Sequence, residues 1–540
     1  MASLLLTDVL GGTELPISVI ARITTYISDL RDLANLARSS RLLYYVALPR
    51  LYQHVDLQLR SASEQVETRK NSSSEVSAFC VALDALSTGQ PARLVREATL
   101  RGTVPATNDH LHGRLSDFAV LLSIAIRAAI DQMTVLQKFT WMLDAKPLQM
   151  VYQGLELRSS LTHFTLVFPT SREPRPLTTI PGIPSLLTFR VMNMDPLCYN
   201  DDISLLLLNS KKLEALHMHW NPRMRLEAEC SAHLNSYFHR CVSAGYMFAA
   251  LREVRMQNFY GPNQGQLYAV LPQSTIVRTH FLDMFGAGPS AQSNVFVNTS
   301  WASIPPILKF NWKIHRCNEM SMQHTRMLRG FKGVEELYFP SKTVGLGNPN
   351  TSMVIDNYGT PSSAASTSTA SSAVSLENPV IFPGSDLITL GNEYLDAVCK
   401  NHGPTLKKCL FVNAFGYTSS QIAELAKACP DLEQFGVALK AGGEDPFRIL
   451  IYHFPKLRAL RILDNEFLAE TISSHADGIF RLCEAVRGYL NDAQSSTMRW
   501  LGFGKHVFHV SRGAHGHVLS AASWEDVQHE EIWGMDNLEL

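Results

Sequence analysis

Residues 404–437 read PTLKKCLFVNAFGYTSSQIAELAKACPDLEQFGV, and this stretch decides the fold. Leu406, Cys409 and Phe411 stand at the first, fourth and sixth places of a six-residue segment; Leu432, Phe435 and Val437 repeat that spacing after an interval of 26 (406 to 432). Side chains alternate across a strand, so places four and six point to one face and place five to the other. Between the two segments, Ser420 to Ala428 has apolar residues at helical spacing, and Cys429-Pro430 ends that helix before the next strand begins. The unit is therefore strand, helix, strand, which requires a parallel pairing with the helix as the return.

The same segment recurs outward in both directions. It begins at Val95 (VREATL), Leu136 (LQKFTW), Leu161 (LTHFTL), Leu186 (LLTFRV), Leu213 (LEALHM), Leu251 (LREVRM), Ile307 (ILKFNW), Val334 (VEELYF), Leu457 (LRALRI) and Met498 (MRWLGF). Intervals of 25 (136 to 161, 161 to 186 and 432 to 457) and 27 (186 to 213 and 307 to 334) fall in the range of leucine-rich repeats, whose neighbours bury each other's apolar faces. Asp202 to Lys212 and Asn392 to Asn401 read as further return helices, and the gap from 251 to 307 leaves room for one degenerate unit near Val277. The fold class expected is α/β, an N-terminal helical domain followed by an irregular leucine-rich-repeat solenoid with parallel strands on its concave face and helices outside. Unrelated α/β strands are the competing reading.

In such a repeat the fifth place faces the concave surface. The residues there are Thr165, Arg190, His217, Arg255, Asn311, Tyr338, Leu410, Gly436 and Arg461, with Arg252, Glu253 and His219 close by. Arginine, tyrosine and histidine carry binding energy at interfaces through planar hydrogen bonding and stacking. The expectation is that Arg190, His217, Arg255, Tyr338 and Arg461 bind a substrate protein. An acidic or phosphorylated segment would suit the arginines, which pair bidentately with carboxylate or phosphate; solvated strand residues are the plainer alternative.

Upstream lies LPISVIARITTYISDLRDLANLARSSRLLYYVALPRLYQHVDL, beginning at Leu15. A proline at the head of a helix gives up no hydrogen bond, so a helix is expected from Pro16, with Val19, Ile20, Ile23, Tyr26 and Ile27 on one stripe. Ser28 and Asp29 can cap a second helix whose stripe is Leu30, Leu33, Leu36, Ala37 and Ser40. Leu15-Pro16, the apolar stripe, Asp32-Leu33, Leu36-Ala37 and Ser40-Arg41 together resemble an F-box, with Ser18 where an acid is frequent and Leu42-Leu43 where a tryptophan is common. The resemblance implies that Leu15, Pro16, Val19, Ile20, Ile23, Leu33 and Leu36 insert into the adaptor Skp1, which tethers the chain to a cullin. The following ALPRLYQHVDL resembles the junction of many fungal F-box proteins. A helical hairpin that merely packs on the rest of the fold is the alternative.

The organisation expected is an F-box-like helical domain over 12–58, a linker and connecting helix over 59–90, a repeat region over 91–522 and an acidic tail over 523–540. Residues 343–375, with GTPSSAASTSTASSAVS at their heart, are too poor in large apolar residues to fold alone and read as a disordered insertion. The tail carries Glu525, Asp526, Glu530, Glu531, Asp536 and Glu539 around Trp524 and Trp533, and is expected to cap the last repeat.

Composition sets the remaining bounds. The 540 residues are 46% hydrophobic and 18% charged, with 48 basic against 49 acidic residues, so no broad field draws nucleic acid or an anionic membrane. Nine cysteines without a CxxC pair read as reduced thiols of cytosol or nucleus. Neither a signal peptide nor a membrane span is legible. GxSxG, GxxxxGK[ST], HExxH and GxGxxG are absent, so no catalytic residue, cofactor or metal is expected. His217-x-His219 and His506, His509, His515 and His517 raise the question of metal, but surface histidine is the simpler reading. The function expected is a substrate-recruiting adaptor of an SCF-type ubiquitin ligase, with a repeat scaffold outside the ubiquitin system as the alternative.

Overall fold

The computed structural model describes residues 16–538 except 60–72, 105–116, 171–177, 196–200, 223–233, 260–269, 284–308, 319, 342–383, 443, 474–476 and 494–496. Leu15 and the insertion at 343–375 lie outside the described residues. The chain is mixed α/β with an N-terminal helical stretch and a mostly parallel, open sheet. It divides into two compact units, residues 1–213 and 214–540.

Unit 1 opens with three helices: α1 (Ile17–Thr24), α2 (Leu30–Ser39) and α3 (Arg41–Gln53). Pro16 stands at the cap of α1, and the Asp29 side chain accepts from the Arg31 N–H at 2.7 Å to start α2. Ser40 caps α3 in the same way, accepting from the Leu43 N–H at 3.1 Å. The two-helix hairpin expected from the sequence is thus three helices, because Leu42 to Leu51 continues as a helix and supplies the surface on which α2 packs. Leu33, Ala37 and Ala47 form the small core between them, with Ile27, Leu36 and Leu51 at its edge.

Five parallel strands follow in unit 1, β1 (His54–Leu59), β2 (Glu97–Gly102), β3 (Lys138–Leu143), β4 (His163–Val167) and β5 (Thr188–Met194), each paired with the next. The first precedes the earliest segment recognised in the sequence. Helices α4 (Ser73–Thr88), α5 (Asp117–Gln132), α6 (Gln149–Glu156) and α7 (Ser204–Asn209) lie along the chain with them. The fourth-place residues Phe139, Phe164 and Phe189 are in register and buried, with ring centroids 6.2 and 5.7 Å apart. Gly102 ends β2 at φ +124°, a region open to glycine alone, and a Cβ there would fall on the carbonyl oxygen of Leu59. Gly102→Ala is expected to lower the stability of unit 1 by about 1–3 kcal/mol in urea titration; an unchanged midpoint would refute this account of the strand end.

Unit 2 continues the scheme with β6 (Ala215–Trp220), β7 (Glu253–Gln257), β8 (Arg278–Leu282), β9 (Ile314–Cys317), β10 (Glu336–Tyr338), β11 (Lys408–Leu410), the short β12 (Gly416–Tyr417), β13 (Gln434–Leu439), β14 (Ala459–Ile462) and β15 (Trp500–Phe503). These pair in parallel, with β11 beside β13 and β12 on the far part of β13. The hairpin β16 (His506–Gly513) and β17 (Gly516–Ala522) then joins antiparallel, so the region expected as repeats to 522 ends in a hairpin. The helices of this unit are α8 (Asn235–Ser243), α9 (Met322–Arg329), α10 (Gly384–Ala397), α11 (Ser419–Ala428), α12 (Pro446–His453), α13 (Glu466–Ser473), α14 (Gly478–Asp492), α15 (Trp524–Val527) and α16 (Glu531–Gly534). The unit foreseen near Val277 is β8.

One register expected from the sequence is corrected. Ile307 lies outside the described residues and 309–312 form no strand; the strand is β9, and its core places are Trp312, His315 and Cys317, all buried. Asn311 therefore leaves the fifth place, which Arg316 takes.

Candidate functional site

The parallel register of unit 2 stacks fifth-place residues into one row. His217 stands opposite Arg255, Arg255 opposite His280, His280 opposite Arg316, and Arg316 opposite Tyr338. The row continues through Leu410, Gly436 and Arg461 to Gly502. Four of the five residues expected to bind substrate, His217, Arg255, Tyr338 and Arg461, belong to it. The fifth, Arg190, belongs to β5 of unit 1, where its Nε donates to the Met192 sulfur at 3.4 Å.

The row is not bare. Residues 524–538 lie against it, so the acidic tail covers the sheet face rather than capping the last repeat. Arg461 donates from Nη1 to the Ile532 carbonyl at 3.0 Å and pairs through Nη2 with Asp536 at 2.8 Å. Arg316 donates to the carbonyl and side-chain oxygens of Asn537, and Gln257 to the Leu538 carbonyl. Gln434 donates to Glu530 and Glu531 at 2.6 Å each, while its own side-chain oxygen accepts the Ile532 N–H at 3.2 Å. Lys408 reaches Glu531 at 2.6 Å and Arg458 reaches Glu530 at 3.2 Å.

Apolar groups complete the contact. Ile532 and Trp533 bury themselves with Val527 against Tyr338, Leu410, Ala438 and Ala459. The indole of Trp533 lies where a Cβ on Gly502 would reach, so glycine in β15 makes room for it. Tyr338 is fully buried and Arg461 is 7% exposed, so neither expected binding residue is open to a partner while the tail is in place. The sequence could not have shown this: Arg458 and Glu530 are 72 residues apart along the chain, and Lys408 and Glu531 are 123 apart.

Electrostatics at the two ends of the row differ. Glu253 collects hydrogen bonds from His217 (3.0 Å) and Arg255; burial pushes its carboxyl up, but these partners prevail and hold it at about 2. Under the tail, burial raises Asp536 against the pull of Arg461 and the Ser341 N–H, while Lys408, although burial opposes it, is raised by its bonds to Glu531 and Glu336. The cationic side chains of the sheet are matched by carboxylates of the tail.

On the opposite side of β8 and β9 is a buried polar chain. His315, Cys317 and His324 are the one group of three metal-competent side chains found among the described residues, with ligand atoms within 4.8 Å. The His315 and His324 Nε2 atoms stand 2.9 Å apart, hydrogen-bond contact, and each Nδ1 faces a hydroxyl at 2.8 Å, Thr279 for His315 and Tyr394 for His324. One proton assignment satisfies the chain throughout: Thr279 donates to His315, His315 to His324, His324 to Tyr394, and Tyr394 to the Ser321 carbonyl. His217-x-His219 is no pair of ligands either, since His217 bonds Glu253 and His219 bonds the Asn258 amide at 3.0 Å. His506, His509, His515 and His517 lie on the hairpin β16–β17 and its turn.

Of the residues expected to meet Skp1, Pro16, Val19 and Ile23 are exposed along one stripe of α1, and Ile20 is half-buried. Leu33 is fully buried and Leu36 packs at the edge of the same core, so these two hold α2 on α3 rather than face outward. Ile17, Tyr26, Leu30, Tyr44 and Tyr45 are also exposed apolar side chains; the sequence reading placed Tyr26 and Leu30 on its stripes but assigned none of the five to Skp1.

Burial pushes the thiols of Cys241, Cys399 and Cys483 up to about 11, away from the reactive thiolate. No helix among the described residues is long and apolar enough to cross a membrane. No protein-family model matches the chain, and no match is found among curated proteins.

Proposed function

We propose that the chain recruits substrates to an SCF-type ubiquitin ligase, with α1–α3 serving as an F-box for Skp1 and the parallel sheet beyond serving as an irregular leucine-rich-repeat solenoid that holds the substrate. The observation that carries this reading is the apolar stripe on α1. Val19 and Ile23 are 40% and 53% exposed although the helices close a core of their own beneath them. Exposed apolar side chains grouped on one helix mark a surface that a partner covers. The 1-4-6 core spacing and in-register parallel strands support the solenoid part of the reading. On this reading the protein does no chemistry itself; the cullin, reached through Skp1, brings the transfer machinery.

Purified Skp1 is expected to be retained by the full chain. The Val19→Ser and Ile23→Ser double variant, which touches no buried side chain, is expected to keep its fold by circular dichroism and to bind at least about tenfold more weakly. A folded wild-type chain that retains no Skp1 would overturn the ligase reading and leave a repeat scaffold with another partner.

A further inference from the structure

We infer that the sheet face of unit 2 recognises an acidic peptide segment with large apolar residues at its centre, and that the chain's own residues 524–538 occupy this site as a displaceable intramolecular ligand. The inference rests on reading that face as the recognition surface, and is independent of what α1 binds.

Three observations carry it. First, side chains on the face of the sheet hold the main chain of the tail. Arg461, Arg316 and Gln257 take the carbonyls of residues 532, 537 and 538, and Gln434 takes the Ile532 N–H. Main-chain recognition of this kind accepts many sequences; side chains then select among them. Here the selection is for carboxylates at 530, 531 and 536, met by Gln434, Arg458, Lys408 and Arg461, and for apolar bulk at 532 and 533.

Second, the covered strip buries charged and amide side chains beside its apolar cluster. Gln434 is fully buried and Arg316 and Arg461 are 2% and 7% exposed. Well-packed hydrophobic residues hold two surfaces together as well as a buried ion pair does, or better, because the pair must first be desolvated. Departure of the tail would uncover these charges together with Tyr338, Leu410, Ala438 and Ala459, a surface that calls for a replacement occupant of the same mixed character.

Third, the tail leaves β17 after Ala522, which packs at the edge of the apolar cluster, and has little structure of its own. Ala521 and Ser523 are exposed, and the covering segment is two four-residue helices, α15 and α16, too short to hold together without the sheet beneath them.

The partner is therefore a protein presenting two adjacent carboxylates, two large apolar side chains and a further acid, in the order Glu530-Glu531-Ile532-Trp533 followed by Asp536. It competes with the tail for one site, so partner affinity is set by what the tail's departure costs.

The experiment cuts the strap without disturbing folding. A specific protease site is placed between Ala522 and Ser523, the full chain is folded with its tail, cleaved, and challenged with a fluorescent synthetic peptide of residues 523–540. The cut tail is expected to exchange with the labelled peptide, binding to weaken about tenfold or more between low salt and about 0.5 M, and a peptide carrying Glu530→Gln, Glu531→Gln and Asp536→Asn to compete poorly. The uncut chain is expected to bind none. Because only the peptide is altered, loss of folding in the body cannot mimic the result. A cut tail that stays with the body until the body unfolds, or acid-free peptide that competes as well as the native one, would overturn the inference. A chain that exchanges its tail but retains no Skp1 loses the ligase reading alone; one that retains Skp1 and never releases its cut tail loses this inference alone.

Discussion

Unit 2 is expected to lose its fold between about pH 6 and pH 4.5, well above the range in which carboxylates alone would unfold it. Four of the buried histidines there resist protonation: His280 is held at about 3 by burial and by Arg255 and Arg316, His324 at about 3 by burial, His402 at about 4 by burial against a bond to the Leu328 carbonyl, and His315 well below the usual range by burial and by the neighbouring imidazoles. Their ordinary value is 6.5, so the unfolded chain takes up protons below that pH while the folded chain does not. Each therefore contributes stability that is fully present above 6.5 and is lost as pH falls toward its folded value. Each imidazole kept neutral costs about 1.4 kcal/mol per pH unit, so four remove about 5.5 kcal/mol per unit, against a typical total of about 5–15 kcal/mol. Trp312 stacks on His315 at 5.1 Å and gives a fluorescence reporter of the transition. A urea midpoint that stays flat from pH 7 to pH 5 would refute this account.

In unit 1, Lys146→Met is expected to destabilise by about 3–5 kcal/mol at neutral pH. Lys146 and Asp202 form an ion pair at 2.5 Å with side chains only 4% and 3% exposed. Burial raises the Asp202 carboxyl and Lys146 pulls it back, so removing the lysine leaves a buried carboxylate with its principal counter-charge gone. That raised carboxyl binds its proton more tightly folded than unfolded, and the deficit should shrink as pH falls and Asp202 becomes neutral. The double variant Lys146→Met, Asp202→Leu should recover much of the loss, since an apolar pair of similar volume needs no desolvation of charge. Urea denaturation followed through Trp141, buried in β3, measures all three chains; a single variant within 1 kcal/mol of wild type would mean the site rearranges to admit water.

Much of the fold was legible because places one, four and six of a strand face the core, and only apolar letters do that cheaply. The reading went astray where the core letters are polar. At β9 the fourth and sixth places are His315 and Cys317, and at β8 the fourth is Thr279, so hydrophobic spacing pointed instead to the apolar run at Ile307. Thr279 and His315 are admitted because they bond each other across neighbouring strands and His315 bonds His324 in turn, which no local pattern records. Of the stripe expected on the first helix, Val19, Ile20 and Ile23 lie on α1, while Tyr26 and Ile27 fall beyond its end at Thr24; Leu33 moved from the expected contact surface to the core because the sequence had not revealed α3 beneath it.

By itself the sequence determined the period of the strands, the parallel pairing that a strand-helix-strand unit requires, and the row of fifth-place residues in which His217, Arg255, Tyr338 and Arg461 stand. The tertiary structure alone decided what that row meets. Parallel register gathers residues from strands far apart in the chain into one column, and the charges so gathered fix where an acidic segment lies; local spacing carries no information about either.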